Sequence, residues 1–196
     1  NWRMILETYA TDRDPTVKII LTAMDDALED AWEKYCGDLE CVEIYRGSIL
    51  DLHCDAVVSP ANSYGYMDGG IDRLYIRHFG WGVQERLQSA IRADHHGQLL
   101  VGHAELVRTG NEEIPYLIAA PTMRVPQTLH NSVNPYLAMR ATLILIKYGK
   151  KDDVFIADKI GTLAVPGLGT GVGEVHPVVC ARQVQFAINE VIFEKA

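Results

Sequence analysis

The sequence predicts an α/β protein, a three-layer α/β/α sandwich on a mixed, mostly parallel central sheet. Two observations predict it. Apolar runs of strand length alternate with longer helical patterns along the 196 residues, the order expected when crossover helices join the strands of one sheet. Two of the apolar runs also end in loops rich in glycine that lead into helices, and in open α/β sheets ligands collect at such strand ends. No shift in composition marks a linker, so residues 1–196 read as a single domain, with residues 1–40 as an N-terminal β-α extension on the same sheet.

The elements follow in order. "VKIILTAM" (17–24) is a buried-strand run, and "DDALEDAWEKYC" (25–36) is a helix whose leading carboxylates sit at its positive end. "CVEIYRGSI" alternates as a strand does, and "CDAVVSP" is a short apolar strand stopped by Pro60. A helical pattern covers about 71–93 with an interruption near Gly80 and Gly82. "HAELVRTG" and "IPYLIAAPT" read as two further strands. "NPYLAMRATLILIKYGKK" opens with Pro135 at a helix N-terminus and is apolar on most faces, which predicts deep burial. "GTLAVPGLGTGVGEV" is a strand running into a glycine loop. The last helix begins near "HPVV", with Val184, Ala187, Ile188, Val191 and Ile192 as its core stripe.

Composition narrows the function. No apolar run approaches the roughly 18 residues needed to span a bilayer. The net charge of −8 and the absence of a long basic run disfavour sequence-independent nucleic-acid binding. An anionic ligand must therefore be held mainly by backbone N–H groups. Four cysteines (36, 41, 54, 180) form no C-x-x-C pair, which suggests reduced thiols and an intracellular, cytoplasmic setting. His53 with Cys54, and the group His95, His96 and His103, have no standard zinc spacing, so no metal is expected.

The two loops carry the chemistry. In "PGLGTGVGEV", glycines at 167, 169, 171 and 173 let amides approach a ligand with no Cβ in the way, which suits a phosphate or diphosphate beside a helix N-terminus. Val172 and Glu174 break the G-x-G-x-x-G register of a dinucleotide fingerprint, and no Gly-Lys-Ser/Thr of a P-loop is present. Taken alone, the loop is equally compatible with a flexible surface segment. The other loop, inside "DAVVSPANSYGYMDGGID", combines Asn62, Tyr64, Tyr66, Gly69, Gly70 and Asp72.

Both loops together resemble the macro domains that bind ADP-ribose, over about residues 41–194. "VEIYRGSILDLHCDAVVSPANSYGYMDGGID" is similar to that family's strand–loop–strand entry, and "LAVPGLGTGVGEVHP" to its diphosphate loop. The resemblance implies a ligand site formed by Ser48, Ile49, Ala61, Tyr64, Tyr66, Gly69, Gly70, Ile71, Gly167, Leu168, Gly169, Thr170, Gly171 and Val172. It further implies that Asn62 orients the distal ribose and that Asp72 activates water or an adjacent hydroxyl, with no cofactor. ADP-ribose, or a protein or small molecule carrying it, is the implied partner. Tyr64 and Tyr66 either cover a ribose or pack against the neighbouring helix.

The chain departs from the family pattern at three points. Gly47 is followed by Ser48 where an adenine-contacting Asp is usual, so the base would be met by a neutral acceptor. Gly173 stands where an aromatic often packs on the distal ribose, and Ser59-Pro60 replaces a more usual Asn-Ala, which reads as a matter of loop shape. The first loop lacks the Lys that accompanies action on ADP-ribosylated DNA bases. Three functions fit to different degrees: an ADP-ribosyl hydrolase, a non-catalytic reader of ADP-ribose or a related signalling nucleotide, and a nicotinamide-dependent oxidoreductase, the last opposed by the broken fingerprint.

Overall fold

The computed structural model describes residues 17–195; the part of the 1–40 extension that precedes residue 17 lies outside them. Strands β1 (Lys18–Ala23), β2 (Val42–Arg46), β3 (Ala56–Ser59), β4 (Glu105–Arg108), β5 (Tyr116–Ala119) and β8 (Thr162–Val165) form one sheet in the order β2-β1-β8-β3-β5-β4. All neighbours run parallel except the edge strand β4, which is antiparallel to β5. The sheet is therefore mixed and mostly parallel. β6 (Lys150–Lys151) and β7 (Val154–Phe155) make a separate two-residue hairpin.

Strand β1 lies inside the sheet, and its pattern shows why it reads as continuous apolar sequence. Every residue after Lys18 is buried, as a strand covered on both faces requires. Successive side chains point to opposite layers. Ile19, Leu21, Leu163 and Val165 face one core, whereas Ile20, Val57, Leu117 and Ala164 face the other. Helices α1 (Asp26–Cys36), α4 (Asn134–Tyr148) and α5 (Pro177–Val191) cover the first face. Helices α2 (Gly70–Phe79) and α3 (Gly82–Asp94) cover the second, which completes the three layers.

Local chemistry sets the helix boundaries. Asp25 caps α1 by accepting from the Leu28 amide at 2.9 Å, and Trp32 of that helix, fully buried, donates its indole N–H to the Thr22 carbonyl at 3.1 Å. The expected helix over about 71–93 divides at Gly80, whose φ of 81° belongs to the left-handed region. Helix α4 stops at Tyr148, so Lys150 and Lys151 leave the helical pattern for β6. Of the expected stripe on α5, Val184, Ala187, Ile188 and Val191 are buried, with Ile192 packed at the margin.

Candidate ligand-binding cleft

Five parallel strands end on the same side of the sheet, and their loops enclose a cleft of about 320 Å³. Thr22, Met24, Asp25 and Leu28 come from the end of β1 and the start of α1. Gly47, Ser48 and Ile49 follow β2, and the loop after β3 contributes residues from Pro60 to Leu74. Thr122, Met123 and Pro126 follow β5, and the glycine loop follows β8. The two long loops are tied together across the floor: Asn62 and Met123 form a parallel bridge, and the Thr122 hydroxyl donates to the Pro60 carbonyl at 3.0 Å.

The cleft carries two rows of donors. Helix α2 begins at Gly70, so its first amides have no partner within the helix. Opposite them, the amides of Thr170, Gly171 and Val172 donate to no protein acceptor among the described residues. The glycine loop is shaped from below, where Val175 donates to the Gly169 carbonyl at 3.0 Å and Leu129 to the Gly173 carbonyl at 2.8 Å. Gly169 has φ 73°, and a Cβ there would come within 3.0 Å of Leu129 and 3.1 Å of Val175. A Cβ on Gly171 would meet nothing within 4 Å. Gly169 thus serves the loop's shape, while Gly171 leaves its open side bare.

The side chains lining the cleft include three carboxylates, Asp25, Asp68 and Asp72, and no Lys or Arg. Asp72, in the first turn of α2, is only 6% exposed. The fully buried Ser59 donates its hydroxyl to Oδ1 of Asp72 at 2.5 Å. Burial pushes the Asp72 carboxyl up to about 7; the Ser59 hydrogen bond opposes that rise and the nearby Asp68 charge adds to it. Ser48 occupies the cleft wall beside Met24 and Asp25, and its Oγ accepts from the Leu50 amide at 3.2 Å, capping a 3-10 turn over Ile49–Asp51.

Most of the expected site residues meet here, and two do not. Ile49, Ala61, Asn62, Tyr66, Gly69, Gly70, Ile71, Gly167, Thr170 and Val172 line the cleft with Ser48, Asp72, Gly169 and Gly171. Leu168 points instead into the core, where it is fully buried. Tyr64 turns away to Arg124, whose guanidinium donates to its hydroxyl at 2.5 Å and lies 5.4 Å from its ring centroid. Asn62 lines the cleft, but its amide is engaged by its own loop: Nδ2 donates to the Tyr66 carbonyl at 2.8 Å, and Oδ1 accepts from the Tyr64 and Tyr66 amides.

Sequence reading missed the β1 side of the cleft, although a strand end in a parallel sheet is itself a signal. It also treated Ser59 as loop shape, whereas the hydroxyl bonds to Asp72. The four cysteines are free thiols, and burial pushes Cys36 and Cys180 up to about 12 and Cys54 to about 11, values unsuited to a thiolate nucleophile. Among the described residues no group of three His, Cys, Asp or Glu side chains is arranged to hold a metal, and no helix is long and apolar enough to cross a membrane.

A mixed α/β/α sandwich with a cleft between two amide-bearing strand-end loops defines the class of fold. The Macro domain family model matches residues 58–184, and the chain belongs to that family. An uncharacterized protein of Aquifex aeolicus is 34% identical over 143 residues, which cover 72% of this chain and 76% of the relative. Among solved structures, the Oceanobacillus iheyensis macrodomain with ADP superposes with a TM-score of 0.62 at 17% identity, covering 76% of this chain and 75% of its own. A variant of that macrodomain with ADPR gives 0.60 at 13% identity, covering 91% and 80%.

Proposed function

We propose that the cleft binds ADP-ribose or an ADP-ribosyl group and that the protein hydrolyses an ADP-ribosyl linkage on a protein or small acceptor. The diphosphate would lie between the first amides of α2 and the amides of Thr170, Gly171 and Val172, where dipole and unpaired donors favour an anion. Amides must do this work because the lining side chains include no cation. The exposed Met24, Tyr66 and Val172 at the rim offer apolar surface to a base or sugar. Solved macrodomains of the same fold with ADP and ADPR support this ligand class.

The observation that carries the hydrolytic reading is Asp72: a buried carboxyl in the cleft wall, held near neutrality, with one oxygen taken by Ser59. A carboxyl of that kind is suited to general-base work. In the proposed step Oδ2 takes a proton from water as the water oxygen bonds to the sugar carbon. The acceptor leaves with the electron pair of the breaking bond and takes up a proton, which Asp72 returns to it directly or by way of solvent. The loop amides hold the diphosphate in place meanwhile, a preorganised electrostatic role.

The second reading, a non-catalytic reader, is favoured by Asn62, whose amide is occupied by its loop rather than held out for a ribose. Asp72→Ala separates the two. General-base loss should slow single-turnover hydrolysis of mono-ADP-ribosylated protein by about 10²–10⁴ while ADP-ribose affinity by calorimetry stays near that of the wild type. Unchanged turnover in that variant would remove Asp72 from the chemistry.

A further inference from the structure

Ser59 and Asp72 are thirteen residues apart in sequence, on β3 and on the first turn of α2, yet they form a buried pair in the cleft wall. Ser59 is fully buried and makes no contact a ligand could use directly, so any part it has is played through Asp72. Its hydroxyl occupies Oδ1 at 2.5 Å, whereas Oδ2 has no hydrogen-bond partner among the described residues. Oδ2 is not sealed away either, because Ser63 Oγ is the one buried, unpartnered side-chain polar atom among the described residues.

We propose that Ser59 is a positioning residue of the site: its hydroxyl fixes the Asp72 carboxyl through Oδ1 and leaves Oδ2 as the oxygen presented to the cleft. The assignment rests on the reading of Asp72 as a general base. It gives chemistry to a position where the family resemblance suggested only a change of loop shape.

The surroundings leave Ser59 as the one side chain that favours ionisation of Asp72, beside the N-terminal dipole of α2 in whose first turn the carboxyl sits. Asp68 lies in the preceding loop, Tyr75 one turn further along α2, and the Cys54 thiol beyond Tyr75 near the start of β3. All three are acids, and no ion pair to Asp72 exists among the described residues. Tyr75 cannot replace the serine, because its hydroxyl donates to the Val58 carbonyl at 3.0 Å. A donor to the charged form favours that form, so Ser59 opposes the burial that would otherwise keep Asp72 protonated.

The test compares wild type, Ser59→Ala and Ser59→Thr. The Asp72 carboxyl is titrated without substrate by carbon NMR on aspartate-labelled protein, assigned against Asp72→Asn. Ser59→Ala should move that titration upward by about one to two pH units, the size of one hydrogen bond to a charged group. Ser59→Thr keeps the hydroxyl and should titrate near the wild type. Single-turnover hydrolysis should follow: about ten- to a hundredfold slower than wild type at pH 6 in the Ala variant, with the deficit shrinking as pH rises.

A Ser59→Ala titration superimposable on the wild type would overturn the proposal, as would a Thr variant that titrates like the Ala variant. A rate loss equal at every pH would do the same. Because the titration is read without turnover, it remains decisive if the protein binds ADP-ribose and does not hydrolyse it.

Discussion

The side chain of Asn62 closes a ring with Tyr66, donating to its carbonyl at 2.8 Å and accepting from its amide at 3.3 Å. With the further bond from the Tyr64 amide, three of the four hydrogen-bonding positions of this amide are engaged in the loop, and one N–H remains. The Asn62 side chain therefore braces the segment that leads to Gly69, Gly70 and Asp72.

Asn62→Ala should consequently cost stability as well as affinity. Losing such a loop clamp is expected to cost about 1–3 kcal/mol, a fall in Tm of roughly 2–12 °C for a domain of this size. Asn62→Asp keeps the acceptor for both amides and loses only the donor, so its Tm should fall between those of wild type and Ala. Thermal melts with parallel ADP-ribose titrations check this. A wild-type Tm combined with lost affinity would show that Asn62 serves the ligand and not the loop.

Neighbouring glycines in the β8 loop should separate binding from folding. A side chain at Gly171 projects into open space, so Gly171→Val should keep its Tm within about 2 °C of wild type and weaken ADP-ribose at least about tenfold by obstructing the amide row. At Gly173 a Cβ would come within 2.5 Å of the Gly169 carbonyl oxygen, so Gly173→Ala should lower Tm, on the order of 1–3 kcal/mol of overpacking. Equal affinities for wild type and Gly171→Val would place the diphosphate elsewhere.

The buried Asp72 also sets a pH dependence of stability. Its carboxyl is raised from 3.8 to about 7 by burial. The folded state therefore binds this proton more tightly than the unfolded state does. The resulting stabilisation is fully present below about 3.8 and is lost as pH rises through about 7. The rise corresponds to roughly 4 kcal/mol at most. Asp72→Asn removes the titration and keeps an acceptor for Ser59, so it should melt higher than wild type at pH 8 and approach it at pH 5. Parallel melts across that window decide it; identical pH profiles would show that Asp72 is ionised at little cost in the fold.

The properties that were legible in the sequence are local ones. The continuous apolar run of β1 encodes burial on both faces, and the spacing of Val184, Ala187, Ile188 and Val191 encodes the buried side of α5. That the two glycine loops line one cleft was legible because each combines a strand end, a helix start and residues suited to bare backbone. What escaped depends on distant partners. Met24 and Asp25 enter the cleft because β1 pairs with β2 and β8, an order the run itself does not encode. Tyr64 and Tyr66 look equivalent in the sequence, and Arg124, sixty residues further along, draws one of them away. Leu168 sits between glycines yet reaches the core, a contact with distant elements that its local sequence does not encode.

The interior place of β1 separates two kinds of boundary. The family-model match begins at residue 58, inside β3, while β1 and β2 precede it. A fragment cut at that point would strip β8 of the partner it pairs with from Lys18 to Leu21 and leave a central strand, buried from Leu163 to Val165, as a raw sheet edge. Such an edge invites strand addition by other chains. It would also take away the wall formed by Thr22, Met24 and Asp25. For this protein the stretch bounded by the family-model match is shorter than the sheet and the cleft built on it, since both draw on strands that lie before residue 58.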